Sequence, residues 1–169
     1  MSAWTRGQWA LRCVIVAGVQ LALGATLLAG ASPSVFLVVV VTGLSLGYAR
    51  LPESAVGSAT LALVAGWWAI GVPGLHPAVL LGAAGLLAAH VAGLLAAYGP
   101  DELAPDPAVL RRWLLRGLAV LVVAPGLYGA ALVLRGRPET SDAWLVGLAV
   151  AVVATLLATW VIVEPEEDP

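Results

Sequence analysis

The chain has no lysine and no asparagine, a single cysteine, and charge on only 11% of its 169 residues. Each shortage excludes something. Without lysine there is no Schiff-base chemistry and no lysine general base. With Cys13 alone, an intrachain disulfide is impossible and the redox compartment cannot be read from cysteine usage. A water-soluble fold covers itself with charge on roughly a quarter of its residues. A chain that is 61% hydrophobic with so little charge is not built for water on all sides. Also lacking are a phosphate-binding glycine loop, a dinucleotide glycine pattern and any metal-spaced cluster of His, Cys, Asp or Glu. No cofactor, metal or nucleic acid is therefore expected. The exclusive use of arginine as the basic residue fits the coding bias of a GC-rich prokaryote.

What the chain does have is long apolar runs. A membrane-spanning helix needs about 20 mostly apolar residues. Six segments answer to that, at about 13–31, 33–48, 55–72, 77–98, 112–134 and 144–163. The expectation is an all-α integral membrane bundle in one domain, six spans forming three hairpins in a cell membrane. The second span is short and implies snorkelling or local thinning of the bilayer. Arginines near the ends of spans collect on the cytoplasmic side. With the N-terminus inside, Arg6, Arg12, Arg50, Arg111, Arg112 and Arg116 fall inside, and Arg135 and Arg137 fall outside. The bias predicts both termini in the cytoplasm, with the acidic tail 164–169. Trp and Tyr favour the headgroup region. Trp4, Trp9, Tyr48, Tyr98, Trp113 and Trp160 mark the inner boundary on this reading, and Trp67, Trp68, Tyr128 and Trp144 the outer one. A competing reading treats the first run as a signal peptide cleaved after Ala29-Gly30-Ala31, which leaves five spans.

The connectors are short turns built from breakers: Ala31-Ser-Pro-Ser34, Ala49-Arg-Leu-Pro-Glu-Ser54 and Gly71-Val-Pro-Gly-Leu-His-Pro77. Pro33 is placed to open the second helix. In the longer inner connector, Asp106-Pro107 reads as an N-cap followed by proline at the first helical position. The helix it starts carries Arg111, Arg112 and Arg116, which together with Arg12 are expected to reach lipid phosphates. Recruitment of a cytoplasmic partner is the alternative for the first three. Pro125 interrupts the fifth span. The two halves share composition but no matched landmarks, so no repeat is inferred.

In lipid, helices associate through close packing of small residues at four-residue spacing. Such stripes are Gly18/Ala22/Thr26/Gly30, Ser58/Ala62/Gly66, Gly85/Ala89/Gly93/Ala97 and Gly147/Ala151/Thr155/Thr159, with a Gly43-to-Gly47 pair in the second span. The segment Gly43-Leu-Ser-Leu-Gly47 also matches a serine-nucleophile pattern, but that motif needs a strand–turn–helix setting. A Ser45–His90 pair is opposed by depth: Ser45 is three residues from Tyr48 and His90 eight from Tyr98. That offset is about 7.5 Å along the axes. His90 stands out because ionisable residues at membrane depth are costly. Its place beside Ala89 predicts that it faces inward, for an interhelical hydrogen bond, a substrate or proton contact, or a metal or haem. Gln20 is the other polar group at depth, a partner for His90 or for threonines of another span. His76 lies in an outer turn, too far from His90 to share a metal. Asp101, Glu102 and Asp106 read as a solvated loop.

Abundant packing faces beside few reactive groups point to a non-catalytic subunit, assembly factor or scaffold of a membrane complex. Its expected partners are the lipid bilayer and other membrane helices. A transporter or exporter of a small or apolar solute, with His90 and Gln20 lining a path, is the first alternative. An intramembrane enzyme acting on lipid or peptide is the second.

Overall fold

The computed structural model describes residues 4–98 and 106–135, and all regular structure among them is α-helical. Five helices follow one another: α1 (Arg6–Leu28), α2 (Val35–Arg50), α3 (Ala55–Gly71), α4 (Ala78–Ala97) and α5 (Pro107–Leu134). The chain divides into two units, Met1–Val133 and Leu134–Pro169, and the helices described here belong to the first. The expected sixth span at 144–163, its small-residue stripe, Arg137 and the acidic tail lie outside the described residues.

The helix ends follow local chemistry. Thr5 caps α1, its Oγ1 accepting from the Gln8 amide at 3.3 Å. The other end closes on Gly30 at φ +79°, with the Gly30 amide donating to Leu27 O and the Ala31 amide to Thr26 O, both at 3.0 Å. That is a Schellman closure, and glycine is suited to the left-handed position. Ser34, one residue beyond Pro33, caps α2 through a bond from the Leu37 amide at 3.2 Å. Pro33 thus precedes the cap rather than opening the helix. Asp106 caps α5 as its sequence implied, accepting from the Ala108 amide at 2.8 Å.

Three helices are long and apolar enough to cross a membrane: α1, α4, and α5 as far as Val133. α2 and α3 are apolar but shorter, at 16 and 17 residues. At 1.5 Å per residue they reach about 24–26 Å, against a hydrocarbon core of about 30 Å. The all-helical expectation therefore holds among the described residues, with three helices of spanning length, while the count of six spans is not supported there.

α1 and α4 are the most closely packed pair, and α2 and α3 join them to make a four-helix group. The pair is antiparallel, because Gly18 faces Gly85 and Ala89 while Gly85 faces Gly18 and Ala22. A Cβ on either glycine would stand 2.5 Å from the other's carbonyl oxygen. Only glycine at both positions lets the backbones approach this closely. Around this seam lie Ile15, Val19, Ala22, Val41, Val64 and Ala89, each with no solvent exposure. α5 leans on the group through Leu110 and Trp113.

Two stripes of small residues are buried over most of their length, Gly30 excepted, which is exposed with nothing within 4 Å of its Cβ position, and two are not. Gly18, Ala22 and Thr26 are buried, as are Gly85, Ala89 and Gly93. Ser58 and Ala62 are exposed, and α3 instead buries Gly57, Thr60 and Val64. Gly43 is exposed with nothing within 4 Å of its Cβ position, and a Cβ on Gly47 would make only an ordinary 3.5 Å contact with Val56 Cγ1. The reason is angular. α2 buries Val41, Ser45 and Tyr48 at helical spacing, and Gly43 lies two residues, about 200°, from Val41.

Candidate functional site

Two polar regions occur among the described helices. The first lies between α1 and α2. Gln20 Nε2 donates to Thr42 Oγ1 at 3.3 Å and to Ser45 Oγ at 3.4 Å. The Ser45 hydroxyl in turn donates to Thr42 O at 2.8 Å. Gln20 therefore finds a threonine of another helix, one of the two partners foreseen for it. Ser45, fully buried, has its proton committed to a backbone carbonyl.

His90 is not part of it. It is exposed on α4 while its neighbour Ala89 is fully buried against α1. Successive helical residues turn by about 100°, so the residue after a buried seam position can leave the contact face altogether. The inward orientation expected for His90 is thus corrected. The pairing of Ser45 with His90 is absent for a related reason: one side chain points into the bundle and the other out of it.

The depth argument against that pair used Tyr48 as a boundary marker, and Tyr48 is turned into the bundle near the end of α2. Tyr48 is 4% exposed, and its Oη donates to Ala89 O at 3.4 Å. Its ring lies between Gly57 of α3 and Gly93 of α4, where a Cβ on either glycine would overlap it. Tyr48 is a core residue whose hydroxyl reaches Ala89 O. Trp68, expected near the outer boundary, similarly reaches across the group. Its Nε1 donates to Ala22 O at 2.9 Å, and its ring lies over Gly82. Glycines thus serve aromatic insertion here as much as backbone approach, a use that four-residue spacing does not signal. His76 has a local role, its Nδ1 accepting from the Ala78 amide at 3.2 Å at the start of α4.

The second polar region is at the α1 start and was only partly legible. Arg12 was expected to snorkel to phosphate, but it is 4% exposed. Its Nη1 donates to Gln8 Oε1, one turn earlier. Its guanidinium lies 4.3 Å from the Trp4 ring centroid, and Trp4 meets Trp9 edge-on at 5.0 Å. Gln8, 2% exposed, is the residue that sequence reasoning missed. Its four-residue spacing from Arg12 is the signal that could have found it. A charge buried this far needs such partners. Beside this cluster, between α1 and α2, is an open cleft of about 450 Å³ lined on one wall by Trp4, Trp9 and Arg12 and on the other by Leu46, Ala49 and Arg50.

The α5 arginines are positioned differently. Arg111 and Arg112 are exposed, and Arg116 lies 5.8 Å from the Trp113 ring centroid. α5 runs continuously through Pro125. The side of α5 near Trp113 and Leu118 and the side of α4 near Leu87 and Val91 bound an apolar groove of about 360 Å³.

No family model matches the chain, and neither a curated protein nor a solved structure matches it.

Proposed function

We propose that this chain is a non-catalytic subunit, assembly factor or scaffold of a prokaryotic cell-membrane complex, with six spans and both termini in the cytoplasm. The observation that carries the reading is His90. It is exposed on an apolar helix of spanning length, where an imidazole facing lipid is costly and a facing hydrogen-bonding group would offset that cost. The exposed Gly43, Ser58 and Ala62 add close-approach surface that the internal packing does not use. Two further features favour this reading over the alternatives. Gln20 is bonded to α2 while His90 faces outward, so the two line no common solute path. Ser45 has its proton committed to Thr42 O and no histidine beside it.

The test is a photo-crosslinking residue at position 90 in native membranes, followed by gentle-detergent purification and intact mass. A stoichiometric second polypeptide, crosslinked from position 90 but not from the buried position 89, supports the proposal. Crosslinks confined to lipid or to this chain itself, with a lone stable monomer in mild detergent, overturn it.

A further inference from the structure

We infer that the turn from α3 into α4 is a pH-responsive latch: His76 caps α4 only while its imidazole is neutral, and protonation releases the first turn of the helix. Pro77 already has helical dihedrals, φ −61° and ψ −24°. It therefore acts as the first helical residue, a position that suits proline because no N–H is needed there. The capping position falls on His76, which closes the helix start with two acceptors. Its carbonyl oxygen takes the Val79 amide at 3.0 Å, and its Nδ1 takes the Ala78 amide at 3.2 Å. Serine, threonine, aspartate and asparagine are the usual residues for this role. The other side-chain caps follow that preference, Thr5 for α1, Ser34 for α2 and Asp106 for α5.

An imidazole in place of an oxygen changes what acid does. A hydroxyl or carboxylate oxygen accepts throughout the range from about pH 5 to 8. Histidine is the side chain whose charge changes in that range, and once protonated both of its ring nitrogens are donors. Nδ1–H would then face the Ala78 N–H, donor against donor. The new positive charge would also lie at the positive end of the α4 dipole. Both effects oppose the capped geometry. The surroundings supply no remedy. His76 borders a cavity of about 180 Å³, walled by Trp68, Ala69 and Val72 from the end of α3 and by Gly74, Leu75 and Val79 from the turn and α4. None of these described residues is charged or titratable, so this wall offers no carboxylate to hold an imidazolium in place. The Trp68 N–H is committed to Ala22 O. His76 is half-buried beside exposed Gly74 and Pro77, so protons reach it from solvent. The cap is present at neutral pH and above, and is lost as the pH falls. The close contacts of α4 with Trp68 and α1 begin at Gly82 and Gly85, so the first turn is released without parting the seam.

Which compartment's pH the cap reads rests on the topology proposed above; whether the cap titrates does not. The test is exchange of single amides, followed by NMR of the full chain in micelles at about pH 8 and pH 5. The Leu37 amide, capped by Ser34, is the internal reference, because pH alters the chemistry of exchange at both amides alike. In the native chain the exchange rate of Ala78 relative to Leu37 should rise about fivefold from the higher pH to the lower, the effect of losing one side-chain cap. His76→Asn keeps an accepting oxygen that does not titrate, and its ratio should stay low at both pH values. His76→Ala should show the raised ratio at both. A native ratio that does not change with pH overturns the latch. An equal rise in His76→Asn also overturns it, since His90 or another group would then be responsible. A ratio in His76→Ala as low as that of the native chain at the higher pH overturns the cap itself.

Discussion

Gly85→Ala tests the packing logic of the α1–α4 seam. The added methyl would sit 2.5 Å from the Gly18 carbonyl oxygen, 3.1 Å from the Ala22 amide nitrogen and 3.3 Å from Ala22 Cβ. Two of these three atoms are backbone, so no rotamer change relieves the contact. The helices must instead separate by about 1 Å to restore ordinary contact at roughly 3.5 Å. A gap of 0.5–1 Å forfeits a quarter to a half of each dispersion contact, and each is worth about 0.1–0.2 kcal/mol. If the seam holds ~40 such contacts, the number typical of one buried leucine, the loss is about 1–4 kcal/mol. Replacing glycine by alanine inside a helix returns about 1 kcal/mol of intrinsic propensity. The expected net destabilisation is about 0–3 kcal/mol, against a gain of up to about 1 kcal/mol for the same exchange where no contact is strained. Gly43→Ala is the control, since its Cβ would meet nothing within 4 Å, and it should be neutral or stabilising. The assay is unfolding in mixed micelles followed by tryptophan fluorescence, helped by Trp68, whose indole bridges to α1. A second variant, Gly18→Ala with Gly85→Ala, should cost less than the sum of the singles, because helices already apart accept the second methyl. If Gly85→Ala proves as stable as Gly43→Ala, the close approach at Gly18 and Gly85 is refuted.

Other consequences are simpler. Gln20→Leu should cost under about 1 kcal/mol, because interhelical polar contacts in membranes are weak and Ser45 keeps its bond to Thr42 O; a loss above about 3 kcal/mol in the same unfolding assay would show that the cluster contributes far more than these geometries allow. Asp106→Ala removes the α5 cap, a change of about 1 kcal/mol; amide exchange should quicken over residues 108–110 while unfolding of the four-helix group is unaffected. His90→Leu should leave the isolated protein as stable as before, since His90 makes no buried contact, yet reduce co-purification of a partner; unchanged partner yield would count against the proposed role. In a Cys13→Ser background, Ser32→Cys should react with an impermeant maleimide from outside the cell and Glu53→Cys only after permeabilisation; the opposite pattern would invert the topology.

Much of the architecture was readable because apolar length and turn chemistry are local properties. The first five helix positions follow the apolar runs, and Asp106-Pro107 marks a helix start at which the structure has the capping hydrogen bond. The start of α1 was misplaced. The apolar run begins near Cys13, but the helix begins at Arg6, where Thr5 caps it, and takes in the bonded Gln8–Arg12 pair. Hydropathy scores each residue alone and cannot register a polar pair that hydrogen-bonds at four-residue spacing.

The direction in which each helix faces is a different kind of information. Gly85/Ala89/Gly93 and Ser58/Ala62/Gly66 look alike as sequence, yet the first stripe lies in the bundle and most of the second faces out. What separates them is the aromatic content of the neighbours. Tyr48 requires a gap on two helices at once, and Gly57 and Gly93 supply it. Once Tyr48 is seated, α3 must present Gly57, and Thr60 and Val64 follow on that face at three- and four-residue spacing. Ser58 and Ala62 are then turned away by geometry rather than by their own chemistry. The same rotation sets His90: with Ala89 and Gly93 held against α1 and Tyr48, residue 90 has no position available inside the group. Its exposure is therefore a consequence of the best-packed part of the fold, and an arrangement that buried His90 would have to break the Gly18–Gly85 approach and unseat Tyr48 together.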